Sequence, residues 1–92
     1  MGRLGIRLRH FRSVSGDECD FVLDDGRMLI PIEVKTTQTP GARDAAGLGT
    51  FLNLFAKLAP WGILLYPGKD FFPLAARIFA VPMRAVLAGE SD

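Results

Sequence analysis

Residues 16–37 read GDECDFVLDDGRMLIPIEVKTT. Asp25-Gly26 stands between two runs that read as strands, Cys19–Leu23 and Met28–Thr36. It is a strong hairpin signal, because a type I′ turn needs positive φ at both central residues. With those two residues as the loop, Asp24 faces Arg27 and Asp20 faces Pro31. Side chains alternate with period two, so Glu33 and Lys35 share the face of Asp20. Asp20 and Glu33 are then diagonal neighbours at ~7–8 Å or somewhat less between Cβ atoms, within reach of one bridging cation. Phe21, Leu23, Ile30, Ile32 and Val34 fall on the opposite face, which is expected to form the core. A loop one residue longer or shorter would reverse this parity.

Two carboxylates on one face repel each other, and a divalent metal resolves that repulsion while supplying a Lewis acid. Mg²⁺ is usually held by one or two carboxylates, with water and substrate phosphate in the other positions. A neighbouring lysine orients or helps deprotonate the attacking water, or stabilises the charge that develops on phosphorus. The chemistry that fits this set is phosphodiester hydrolysis. The same residues also fit a plainer reading as charges on a solvated sheet face.

Outward from the hairpin, Ile6–Arg12 alternates Ile6 and Leu8 against Arg7 and Arg9 and reads as a strand. Ser13–Asp17 reads as a turn, and Thr37–Gly41 is a polar loop closed by Pro40-Gly41. From Leu48 the period changes: Leu48, Phe51, Leu52, Phe55, Leu58 and Ala59 form one apolar helical stripe ended by Pro60. The helix start falls between Ala42 and Leu48, since Gly47 and Gly49 weaken its first turn. Trp61–Tyr66 is a continuous apolar run, the mark of a strand buried on both faces. Ala76–Val81 reads as a further strand, and Pro82 opens a short helix from Met83 to Ala88. This order predicts an α/β fold, a mixed central β-sheet with antiparallel first strands. Phe71-Phe72-Pro73 packs over the helix or forms an exposed partner patch. His10 reads as a half-buried strand residue, and Cys19 as a small core residue.

Ninety-two residues allow one small domain, 1–92, with its core at about 6–88. One cysteine excludes an internal disulfide scaffold and points to a reducing cytoplasm. No apolar run approaches the ~18 residues of a membrane-spanning helix, so no membrane partner is expected. The net charge of +1 makes no case for nucleic acid by itself. Its distribution says more. Arg3, Arg7, Arg9 and Arg12 occupy an acid-free N-terminal segment, and the segment 13–35 is acidic. That contrast fits internal charge pairing, or a phosphate-contacting strand (Arg7, Arg9, Arg12) beside a metal-binding cluster. No phosphate loop, dinucleotide fingerprint, zinc ribbon or HExxH motif is present.

The quoted stretch resembles the core of the PD-(D/E)XK nuclease-like superfamily, with Asp20 as the first acid and Glu33-Val34-Lys35 as the ExK element. More narrowly, Glu18–Val22, Ile32–Lys35, Gly47–Phe51, Gly62–Tyr66 and Val81-Pro82 recur in this order in a nuclease-like domain that the chain resembles. That domain is the C-terminal part of a large family of prokaryotic AAA-type ATPases of unknown function. The resemblance implies a restriction-endonuclease-like core, βββαβ plus a further strand and a short C-terminal helix. It implies Asp20 and Glu33 as metal ligands, the Val34 carbonyl completing the site, and Lys35 as the catalytic lysine. Mg²⁺ or Mn²⁺ would be the cofactor and DNA or RNA the substrate. The superfamily core usually begins with a helix carrying another acid, and no room for it exists before Ile6. The chain is therefore expected to be truncated at the N-terminus, without the ATPase module. One sheet face would then be uncovered, and a dimer or strand exchange would cover it. The alternative function is a catalytically inactive module for dimerisation, protein–protein interaction or nucleic-acid binding.

Overall fold

The computed structural model describes residues 7–12 and 18–87, with side chains described for residues 20–86. The elements run β1 (Arg7–Arg12), β2 (Glu18–Asp24), β3 (Leu29–Val34), a 3₁₀ turn (Ala42–Ala45), α1 (Ala46–Leu54), β4 (Gly62–Tyr66), β5 (Phe72–Ala75), β6 (Ile78–Pro82) and α2 (Met83–Leu87). One six-stranded sheet has the order β1-β2-β3-β4-β6-β5. The first three strands pair antiparallel; β3, β4 and β6 are parallel, and β5 returns antiparallel on β6. A parallel β3–β4 pair needs a crossover, and the 3₁₀ turn with α1 supplies it. The fold class is thus α/β with a mixed sheet, as the element order predicts.

The hairpin departs from the expected turn without losing its parity. Val22 pairs with Pro31 and Asp24 with Leu29, so the loop is the four residues Asp25–Met28. Only Gly26 has positive φ there, at 91°. Side-chain carboxylates build the turn instead. Asp24 Oδ1 accepts the Gly26 amide, and Asp25 Oδ1 accepts those of Arg27 and Met28. These amide bonds hold the Asp25 carboxyl below its ordinary value. A loop two residues longer than expected shifts the register by an even step, so every side chain keeps its predicted face.

The core lies on the opposite side from the one expected. Leu48, Phe51 and Leu52 of α1 pack with Val22, Leu64, Tyr66, Ile78 and Ala80, and Pro31 is fully buried beside them. That is the face of Asp20 and Glu33. Phe21, Leu23, Ile30 and Ile32 are only half-buried and Val34 is exposed. Apolar content did not choose the covered face. The crossover helix can lie on one side only, and it lies over Val22 and Pro31. For the same reason β4 is buried at alternate positions rather than on both faces.

Two further expectations change. A short strand, β5, spans Phe72–Ala75, where a patch or helix packing was expected. Phe72 meets Tyr66 edge-to-face at 5.8 Å, while Phe71 stacks at 6.0 Å on Phe79. Helix α1 ends at Leu54 rather than running to Pro60, with its C-cap Phe55 amide bonded to the Phe51 carbonyl.

Tyr66 closes the β4–β5 connection. Its hydroxyl donates to the Asp70 carbonyl at 2.6 Å and accepts the Asp70 amide at 3.1 Å. A Cβ at Gly68 would collide with the Tyr66 ring. Because Tyr66 is buried, the ring has little room to swing away. Gly68→Ala is therefore expected to cost about 1–3 kcal/mol, a drop of roughly 4–8 °C in Tm per kcal/mol for a domain this size. Thermal unfolding followed by circular dichroism measures it. An unchanged Tm would mean the loop moves aside freely.

Candidate metal and phosphoryl-transfer site

The carboxyl end of β3 carries the candidate residues. The β2–β3 ladder runs as far as Phe21 opposite Ile32, and one step further along it Asp20 comes opposite Glu33. There the main-chain ladder gives way to a side chain. The Val34 amide donates to Asp20 Oδ2 at 2.7 Å. On its other edge the strand continues, with the Lys35 amide donating to the Leu65 carbonyl at 2.9 Å. A planar trans peptide points its C=O opposite to its N–H, so the Val34 carbonyl faces the Asp20 side. The peptide groups of Val34 and the Asp20 carboxylate thus share one edge of β3.

Glu33 is the residue under tension. Its side chain is 12% exposed. Oε2 accepts from Lys35 Nζ at 3.0 Å, and Oε1 is buried with no hydrogen-bond partner among the described residues. Burial pushes the Glu33 carboxyl above its ordinary value; the hydrogen bond and charge of Lys35 oppose this, and the charges of Asp20 and Asp44 add to it. Lys35 is raised by its hydrogen bond to Glu33 and by that residue's charge, with Asp44 and Asp20 adding to it. Its ammonium is therefore firmly charged at neutral pH.

Asp20, Glu33, Val34 and Lys35 are brought together at one end of one strand. The side chains of Arg7, Arg9 and Arg12 lie outside the described residues. The register sets Arg7 opposite Asp24, Arg9 opposite Val22 and Arg12 opposite Glu18. His10 and Cys19 lie outside the described side chains too.

One acid escaped the sequence reading. Asp44, in the 3₁₀ turn, is close enough for its charge to act on both Glu33 and Lys35. Its Oδ2 accepts the Gly41 amide at 2.9 Å, the return half of a capping box. An acid three residues after Pro40-Gly41 was the available signal.

The donor set partly fits a divalent cation. Two carboxylates, one with an orphaned buried oxygen, and an adjacent carbonyl suit Mg²⁺, which takes few protein ligands and fills the rest with water and phosphate. Among the described residues, no three His, Cys, Asp or Glu side chains are grouped to hold a metal by themselves.

Fold and site together define a small α/β domain with an acidic, lysine-flanked cluster at the end of a central strand. The family model of DUF4143, a domain of unknown function, matches residues 2–86, and the chain belongs to that family. Nothing among the curated proteins or the solved structures matches it. No helix of the described residues is long and apolar enough to cross a membrane.

Proposed function

We propose that the domain is a Mg²⁺- or Mn²⁺-dependent, nuclease-like module that hydrolyses phosphodiester bonds in DNA or RNA. We also read its core as restriction-endonuclease-like and cytoplasmic, and as the C-terminal part of an ATPase-associated protein. One observation carries the reading: the buried Oε1 of Glu33, unpartnered among the described residues, beside Asp20 and Lys35. An unsatisfied buried carboxylate oxygen costs stability, and native structures hold few of them unless a ligand or ion completes them.

Asp20 and Glu33 would hold the cation, with the Val34 carbonyl as a further oxygen. When bound, the cation supplies Lewis-acid polarisation of a phosphate oxygen. The chain's own contribution is positional. The Asp20 carboxylate is tied to the Val34 amide, which fixes it against β3. Lys35, held charged by Glu33, cannot accept a proton at neutral pH. Its role is to donate hydrogen bonds to a phosphate oxygen or to orient the attacking water. The water oxygen bonds to phosphorus and gives up a proton to solvent, the phosphorus–oxygen bond to the leaving nucleoside breaks, and that alkoxide takes a proton from solvent.

Plasmid and single-stranded substrates with Mg²⁺ or Mn²⁺ test the reading. Cleavage lost in Glu33→Ala and Lys35→Ala supports it. No cleavage by the wild-type chain, or cleavage untouched by both variants, overturns it. A second reading, an inactive binding module, draws on the Lys35–Glu33 ion pair, which already neutralises Glu33 without a metal. Nucleic-acid binding without turnover, weakened steeply by salt, is its expected result.

A further inference from the structure

Lys35 sits on the carboxylate that the proposed cation needs. Glu33 Oε2 accepts from Lys35 Nζ at 3.0 Å. The other oxygen, Oε1, is closed off from solvent. One oxygen is taken and the other is shut away, so a hydrated cation arriving from solvent finds neither of them open. The two side chains differ in their freedom to resolve this. Glu33 pairs across the ladder with the fully buried Leu64, and its side chain is 12% exposed against 38% for Lys35. The main chain of Lys35 is pinned by its amide, which donates to the Leu65 carbonyl at 2.9 Å. Only its stem is left to move, and a lysine stem is flexible and carries a strongly hydrated ammonium. An ion pair with one member this exposed is also weakly held.

We infer that Lys35 is the resident counter-ion of Glu33 and controls access to it: the ammonium leaves the carboxylate when a divalent cation takes it, and is free to reach a phosphate only then. The inference rests on the metal-dependent reading above and adds the regulation of that site. Charge points the same way. A divalent ion on Glu33 with Lys35 still in place would crowd two cations onto one carboxylate, where burial leaves less water to screen them. Withdrawal of the ammonium relieves that repulsion and restores its hydration. Every cation bound must therefore displace Lys35, so the lysine weakens cation binding even as it serves the reaction. A lysine that only oriented water would leave cation affinity unchanged. Arginine would yield less readily here, because its planar fork grips a carboxylate through two parallel hydrogen bonds.

Titration of Mn²⁺ into the chain, with free Mn²⁺ read from its paramagnetic resonance signal, tests the inference without nucleic acid. Lys35→Met removes the ammonium and keeps the bulk of the stem. It is expected to bind Mn²⁺ about 10-fold more tightly than the wild type, although, like Lys35→Ala, it is expected to lose cleavage. Lys35→Arg is expected to bind Mn²⁺ no more tightly than the wild type. Lys57 is exposed and adjoins Leu58, whose carbonyl accepts the Leu29 amide at the start of β3, the end away from Lys35. Lys57→Met makes the same change in net charge and is expected to leave the affinity as it is. Should Lys35→Met fail to fold, the ε-carbon resonance of Lys35 in the wild type answers instead, and is expected to shift on addition of Mg²⁺ until the site saturates. A resonance that stays put while Mg²⁺ binds overturns the inference. Equal affinity in the wild type and Lys35→Met, an equal gain in Lys57→Met, or a gain in Lys35→Met that persists when Glu33→Gln is added also overturns it, and leaves the metal-dependent reading standing. Mn²⁺ binding by neither the wild type nor Lys35→Met overturns both.

Discussion

Glu33→Gln is expected to lower the proposed metal-dependent cleavage by roughly 100-fold or more while leaving the fold as stable as the wild type or slightly more so. Loss of a group that positions charge at the reacting centre typically costs about 10²–10³ in rate. The structural effect runs the other way because burial, not pairing, dominates Glu33. Lys35 is 38% exposed and regains water when its partner loses charge, so the broken ion pair costs at most ~1 kcal/mol. The pH dependence gives the sign. A carboxyl raised in the folded state binds its proton more tightly there than in the unfolded chain. Its contribution to stability is complete below the unfolded value of about 4.5 and is lost as pH rises through the folded value. The stability advantage of Glu33→Gln over the wild type, from urea unfolding at several pH values, is therefore expected to grow from acid toward neutral pH. An advantage that shrinks or reverses as pH rises would mean that the Lys35 pair outweighs burial. Saturating Mg²⁺ is expected to raise the Tm of the wild type and not that of the variant, since a ligand stabilises only the state that binds it.

The largest expected loss of stability is at Phe51→Ala, about 3–5 kcal/mol. Phe51 is 2% exposed, and its ring lies 4.6 Å from that of Phe55. It sits in the layer where α1 meets Val22 and Leu64. Truncation leaves a cavity that a single helix over a sheet cannot easily collapse. Against a total of ~5–15 kcal/mol for a domain, that removes a large part of the margin. Leu54→Ala, two-fifths buried on the same helix, is expected to change stability by less than ~0.5 kcal/mol. Urea unfolding of both variants measures the contrast, and equal midpoints would show that α1 does not hold the sheet.

Strand parity was legible in the hairpin. Alternation set Asp20, Glu33 and Lys35 on one side, and this survived a loop two residues longer than the Asp25-Gly26 signal suggested. The helix stripe of Leu48, Phe51 and Leu52 was equally plain, because a 3.6-residue period is written in the chain itself. Strand β5 was not, since Phe72–Ala75 is short and contains Pro73, which argues against a strand in isolation. It exists because β6 offers an edge.

Local sequence therefore determined which residues share a face, and with that the company Glu33 keeps. Periods and turns are properties of neighbouring residues, so they can be read one segment at a time. Only the tertiary structure decided which face is inside. Both faces of β2 and β3 carry apolar residues, and the crossover helix covers the one that also bears Asp20 and Glu33. The same packing buries Glu33 Oε1 and brings Asp44 near from a different element. It also leaves Ile32 and Ile63 only half-buried. Burial depends on what lies across the sheet, and that is a relation between segments far apart in the chain.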